Sequence, residues 1–156
     1  MAQQSKTPPN FPRLSAYLIV KGAARAVDFY TRVFGAKELY RLTEPGGKVG
    51  HAELELGGGR LMVADEYPDF GALSPITVGG SPVSMHLYVD DVAALVKRAE
   101  DAGATLLRPV KDEFFGDRTA LVVDPFGHKW HLATRIEEVS PDEMQRRWST
   151  VFEQTQ

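Results

Sequence analysis

Hydrophobic and polar positions alternate along this chain in an order that occurs twice. Residues 15–20, SAYLIV, place Ala16, Leu18 and Val20 on one face of a strand and Ser15, Tyr17 and Ile19 on the other. Gly22 interrupts the pattern. Ala26, Val27, Tyr30, Val33 and Phe34 then recur at helical spacing over residues 23–34, with Gly35 at the C-cap position. Strands are predicted over 36–43, 49–56 and 60–65. In the second of these, Ala52, Leu54 and Leu56 oppose His51, Glu53 and Glu55, and Gly57-Gly58-Gly59 supplies a tight turn. Residues 66–82 are rich in proline and glycine with little periodicity, a linker or an ordered surface loop.

The order then restarts. A strand is predicted over 83–89, and Asp90 or Asp91 can N-cap a helix over 92–102 with a stripe of Leu95, Val96, Ala99 and Ala102. Strands follow over 104–110, 117–123 and 129–134. Each half reads β-α-β-β-β, an internal repeat of architecture rather than of letters. The expected organisation is a flexible arm at 1–13, one α+β domain at 14–139 and a C-terminal helix at 140–156. Within the domain, modules at 14–65 and 83–136 flank a linker at 66–82. Ser140, Pro141 and Glu143 stand at the N-cap, first helical and capping-box positions of the last helix, and Met144, Trp148, Val151 and Phe152 form its apolar side.

The stretch at 119–133, TALVVDPFGHKWHLA, organises the second module as a β-hairpin around the turn signal Asp124-Pro125-Phe126-Gly127. Alternation sends Trp130 and Leu132 to one face, and Lys129, His131 and Ala133 to the other. If Trp130 and Leu132 pack on helices, His131 faces whatever the other side encloses; the alternative is a half-buried histidine with a hydrogen-bond partner.

Composition narrows the function classes. The 156 residues are 43% hydrophobic and 25% charged with a net charge of −3, which gives no reason to expect nucleic acid or an anionic membrane as partner. With no cysteine, disulfides, thiolate metal sites and a Cys nucleophile are excluded. The polar, proline-rich opening lacks the apolar region of a secretory signal, so a cytoplasmic location is expected. Asp65-Glu66 and Asp90-Asp91 read as capping and turn residues, and Gly57-Gly58-Gly59 lacks the strand-to-helix context of a phosphate loop.

The segments AVDFYTRVFGA (26–36), HLYVDDVAALVKRAEDAGA (86–104) and DPFGHKW (124–130) resemble signatures of the vicinal oxygen chelate superfamily, which includes glyoxalase I, bleomycin-resistance proteins and extradiol dioxygenases. HAELELG (51–57), FFGDR (114–118) and VSPDEMQRR (139–147) resemble more narrowly its PhnB-like branch. The resemblance implies that the two sheets curve around one cleft. In the superfamily's metalloenzymes the first and last strands of each module supply one ligand apiece. The matching positions here are Ser15, a residue near Val63 or Ala64, Ser84 and His131, so one strong ligand stands at four places.

The expectation is therefore a glyoxalase/bleomycin-resistance-like protein that binds a small organic molecule in the cleft, without the usual metal site or any other cofactor. Tyr17, His51, His86, Tyr88, Phe115, Arg118 and His131 are the expected ligand-binding residues. Phe114, Phe115 and Arg118 can close over a flat or anionic ligand, or form a surface bulge. Two alternatives remain open. One is a metal-dependent lyase, isomerase or dioxygenase holding zinc, nickel or iron through His86 and His131. The other is a non-catalytic drug-sequestering protein. A homodimer is expected, because single modules leave sheet edges that need cover.

Overall fold

The computed structural model describes residues 6–154. The chain divides into two compact units, Met1–Ser81 and Pro82–Gln156.

In the first unit β1 (Ala16–Val20) leads to α1 (Ala23–Phe34), β2 (Lys37–Thr43), β3 (Val49–Leu56) and β4 (Gly59–Asp65), with sheet order β1-β4-β3-β2. β1 pairs parallel with β4, and the other pairs are antiparallel. One sheet face is dry: Leu18, Val20, Ala52, Leu54, Leu61 and Val63 are buried, as are Ala26, Val27, Tyr30 and Val33 of α1. Fully burying one side chain of this size contributes about 1.5–3 kcal/mol, so the helical stripe and the strand alternation together hold the unit. Asp65 ends β4 by accepting the Gly22 and Ala23 amides (both 2.9 Å) and the Val49 amide (2.8 Å), which fixes the start of α1. Gly57 and Gly58 have φ of 59° and 78°, the left-handed pair that a two-residue hairpin requires.

Residues 66–82 are ordered. They form a single 3-10 turn at Pro68–Phe70 and a short helix α2 (Pro75–Val78), neither of which the sequence pattern predicts. Ser74 is buried and N-caps α2 by accepting the Thr77 amide (3.4 Å), and its own amide donates to Glu66 (2.6 Å). Elements this short carry no periodicity to read. Of the expected arm, residues 1–5 lie outside the described residues. Asn10 accepts from Arg60 (3.5 Å), whose guanidinium sits 5.0 Å from the Phe11 ring centroid, so this part of the arm lies against the first unit.

The second unit repeats the plan with β5 (Ser84–Tyr88), α3 (Val92–Asp101), β6 (Thr105–Asp112), β7 (Asp117–Val123) and β8 (Lys129–Arg135), in order β5-β8-β7-β6. Asp91 is the N-cap of α3, accepting the Ala94 amide at 3.1 Å. Trp130 and Leu132 are buried on the helix side of β8. Asp124 organises the β7–β8 turn: Oδ1 accepts the Phe126 and His128 amides (2.9 and 3.0 Å), and Oδ2 accepts Trp130 Nε1 (2.9 Å).

The C-terminal helix α4 spans Pro141–Glu153; residues 155–156 of the expected helix are outside the described residues. Ser140 caps it as expected, accepting the Glu143 amide at 3.3 Å. The reciprocal arm of a capping box is absent, because the Glu143 carboxylate is taken by Arg146 (2.6 and 2.8 Å) and Arg147 (2.9 Å), which hold its pKa down to about 2. No helix among the described residues is long and apolar enough to cross a membrane.

Candidate functional site

Each sheet has one face covered by its own helix and one face open. On the second unit the strand register sets His86, His131, Leu121 and Arg108 in one row across β5, β8, β7 and β6. The His86 and His131 rings are nearly parallel, 17° apart, with centroids 6.5 Å apart. Arg108 Nη2 lies 3.4 Å from His131 Nδ1. A guanidinium only donates, so this contact assigns Nδ1 as acceptor and leaves the hydrogen of the neutral ring on Nε2. Burial first, then the Arg108 and His86 charges, hold the His131 pKa below its ordinary value. Tyr88 packs its ring 4.8 Å from that of His86 and donates its hydroxyl to the buried Asp117 (2.8 Å). That bond is the main reason its phenol pKa is raised.

Three members of this row, His86, His131 and Arg108, line a cavity of ≈ 490 Å³, within the range of about 300–1,000 Å³ usual for small-molecule sites. His86, His131 and Arg108 give it a polar floor, and Phe114, Phe115 and Trp148 an aromatic side. Two devices place that aromatic side. Gly116 turns at φ 98°, and its carbonyl accepts the Ile136 and Glu137 amides (2.9 and 3.0 Å), which ties the 113–117 turn to the chain after β8. Arg147 then bridges α4 to the turn: it donates to the Phe114 carbonyl (2.9 Å) and to Glu137 (2.8 and 3.0 Å). Trp148, on the next residue, rests against Phe114 with ring centroids 5.6 Å apart.

His86, Phe115 and His131 line this one cavity, the two histidines through strand alternation and Phe115 through the turn, while Tyr88 adjoins it by its contact with His86. Tyr17 and His51 meet on the open face of the first sheet, where Tyr17 Oη is 2.9 Å from His51 Nδ1. Arg118 joins neither group. It alternates to the opposite face of β7 from Thr119 and Leu121, pairs with Asp112 (2.6 and 3.1 Å), and lines a separate recess with Asp91 and Thr134. Reading FFGDR as one unit hides the change of face that follows Asp117. Arg108 and Trp148 are among the additional lining residues, which also include Lys111 and Glu113. A lone Arg on a polar strand and a Trp on a helix stripe read as solvent face and packing, and only the β6 register and the Arg147 bridge bring them in.

The four inherited metal positions do not fit a metal. His131 is matched in the first unit by Met62, because His131 pairs with His86 as Met62 pairs with Tyr17. The N-caps Gly22 and Asp91 match by the same offset. This corrects the expected place at Val63 or Ala64. The two hairpin turns differ in length, closing at Leu56/Gly59 and at Val123/Lys129, and counting across them displaces the match. The donors are then two hydroxyls, a thioether and one imidazole, a poor set for a divalent ion. The Ser15 hydroxyl is buried without a hydrogen-bond partner, and the cationic Arg108 beside His131 opposes a second cation. Asp65 is committed to three backbone amides. Among the described residues no three His, Cys, Asp or Glu side chains converge as a metal-binding group.

Comparison with known proteins agrees with this architecture. Residues 13–132 match the model of the Glyoxalase/Bleomycin resistance protein/Dioxygenase superfamily. The chain is 43% identical over 142 residues to an uncharacterized protein of Mycobacterium bovis, Mb0911c, covering 89% of this chain and 93% of that one. Among solved structures it is similar to TioX from Micromonospora sp. ML1, with TM-score 0.61, 31% identity, and coverage of 80% of this chain and 99% of TioX. It is also similar in fold to the fosfomycin resistance protein FosX from Listeria monocytogenes, whose structure holds Mn(II) and sulfate. There the TM-score is 0.62 with 16% identity over 88% of this chain and 97% of FosX. By the match over residues 13–132, the chain belongs to the Glyoxalase/Bleomycin resistance protein/Dioxygenase superfamily.

Proposed function

We propose that this protein binds a small, flat, anionic organic molecule on the open face of the second sheet, through its own side chains and without a bound metal. The observation that carries the reading is the pairing of an aromatic wall (Phe114, Phe115, Trp148) with a floor of Arg108, His131 and His86 in one cavity of ≈ 490 Å³. Aromatic rings stack on a planar framework, and a guanidinium pairs with a carboxylate, sulfonate or phosphate through parallel hydrogen bonds. The lowered pKa of His131 favours its neutral ring, which offers a ligand one donor. From the HAELELG, FFGDR and VSPDEMQRR segments we further propose that the protein falls in the PhnB-like branch of its superfamily.

Anilinonaphthalene sulfonate, a flat fluorescent anion, tests the reading. Saturable binding at one site per chain is expected. Arg108→Gln should weaken it about tenfold, the size of one charge-assisted hydrogen bond, and Phe115→Ala should weaken it as well. Binding unchanged by both substitutions would refute the assignment.

A further inference from the structure

The open face of the first sheet carries a polar group that the binding reading above does not use. Strand register sets Tyr17, Met62, Glu53 and Tyr40 in one row across β1, β4, β3 and β2, and His51 lies two residues before Glu53 on the same face. Tyr17 Oη is 2.9 Å from His51 Nδ1, and His51 Nε2 is 3.2 Å from Glu53 Oε1. Tyr40 donates to that same Glu53 oxygen at 2.8 Å. Burial raises the Glu53 pKa, hydrogen bonds from Tyr40 and His51 lower it, and the net shift is downward. Glu53 is therefore a carboxylate at neutral pH and only accepts. The contact with Glu53 therefore needs a hydrogen on His51 Nε2, and in a neutral ring Nδ1 is then the lone pair that receives the Tyr17 hydroxyl. Burial, then the Glu53 charge, push the Tyr17 pKa up, so Tyr17 stays a phenol with one hydrogen to give.

We propose that Tyr17, His51 and Glu53 form a proton-coupled oxyanion site, which binds a planar conjugated molecule bearing an acidic oxygen, such as a phenolate or enolate, while His51 takes up one proton. Tyr17 has a single hydrogen. To donate it to a ligand oxyanion it must withdraw it from His51, leaving the phenol oxygen and Nδ1 as two facing acceptors. A proton from solvent on Nδ1 removes the conflict. The imidazolium then donates to Tyr17 through Nδ1 and to Glu53 through Nε2, and Glu53 is its counter-charge. One anion and one proton enter together; the only covalent bond made is the N–H.

The walls suit such a ligand. The Tyr17 and Tyr40 rings stand 5.5 and 5.8 Å from the His51 ring, each tilted by 45°, and are 48% and 45% exposed, so a flat molecule reaches both. The titratable and charged groups around His51 are Tyr17 on β1, Tyr40 on β2, Glu53 and Glu55 on β3 and Arg60 on β4. Beyond β4, Tyr67 is held by Glu44 (2.8 Å) and lies under the Lys48 ammonium (3.8 Å). Of these, Glu53 is the carboxylate in contact with the imidazole.

Para-nitrophenolate is the probe, since its absorption distinguishes phenolate from phenol. Calorimetric titration of the full chain in two buffers of different protonation enthalpy counts the protons taken up. The expected result is one proton per phenolate bound, with the phenolate absorption retained. Tyr17→Phe, which keeps the ring, should weaken binding about tenfold or more, and Glu53→Gln should abolish the proton uptake. Imidazole nitrogen NMR of the ligand-free protein should show His51 with its hydrogen on Nε2. The proposal is overturned by absence of binding at millimolar probe, by binding without proton uptake, or by conversion of the probe to phenol. Uptake that persists in Tyr17→Phe but disappears in His131→Gln would also overturn it, by moving the proton to the second unit.

Discussion

Removing the indole of Trp130 should unlatch the second unit, and the size of the effect can be divided in advance. Trp130 is 2% exposed on the helix side of β8, and its Nε1 donates to Asp124 Oδ2 at 2.9 Å in a buried setting. Trp130→Ala removes both the packing and the donor, at a cost of about 3–5 kcal/mol. Trp130→Phe keeps most of the apolar volume and removes only the donor. It leaves one buried carboxylate oxygen without that partner, at a cost of about 1–3 kcal/mol. The turn itself persists in Trp130→Phe, because Asp124 still holds the Phe126 and His128 amides through its other oxygen. The assay is urea unfolding followed by far-ultraviolet circular dichroism, since the chain has only two tryptophans and fluorescence would report different sites in the variants. Because His131 is the next residue, Trp130→Ala should also weaken binding of anilinonaphthalene sulfonate. A Trp130→Ala protein of unchanged stability that loses only ligand binding would show that the two faces of β8 have been assigned the wrong way round.

Four further outcomes are expected. NMR titration should place the His131 midpoint below about 6.5, the ordinary histidine value, and Arg108→Gln should raise it. As the folded pKa is the lower one, stability is lost as pH falls from about 6.5 through the folded value, while only the unfolded chain takes up the proton; a midpoint above 6.5 would refute this. Gly116→Ala should destabilise the 113–117 turn and the cavity with it, measured as lower stability and weaker probe binding. Its methyl would fall on the Glu137 carbonyl oxygen at a φ of 98°. Elemental analysis of purified protein should find no stoichiometric zinc, nickel or iron, and a content near one per chain that is lost in His86→Ala would favour metal chemistry. Sedimentation equilibrium at tens of micromolar should give a homodimer; a monomer would refute that expectation.

Most of the fold could be read from periodicity because both units are amphipathic in the simplest way. Leu18 and Val20, Ala52 and Leu54, and Trp130 and Leu132 all went to the helix side as alternation requires. The short helix at Pro75–Val78 was missed because one turn has no period, and its cap partner Glu66 lies eight residues before Ser74. The candidate site was half legible. His86 and His131 could be placed on one face, but their neighbours across the sheet are set by strand order and register, which alternation within a strand does not encode. Arg108 reaches His131 only because β6 is two strands away from β8 and bulged between Leu106 and Lys111. Arg118 is the reverse case: its proximity to the 113–117 turn suggests the aromatic side, but the parity of β7 sends it to the other face, onto Asp112.

The matched rows of the two sheets have a consequence for engineering. Tyr17-Met62-Glu53-Tyr40 and His86-His131-Leu121-Arg108 occupy the same four slots of one backbone plan with different chemistry. A residue tolerated in one row is thus a structurally vetted choice for its counterpart. Leu121 fills the slot that Glu53 fills in the first unit, directly opposite His131, which is itself opposite His86. Leu121→Glu combined with Arg108→Ala would set a carboxylate beside two imidazoles and clear the competing guanidinium. Three protein ligands with an open fourth position is the arrangement catalytic zinc uses, so the double variant should acquire a zinc affinity that neither substitution confers alone.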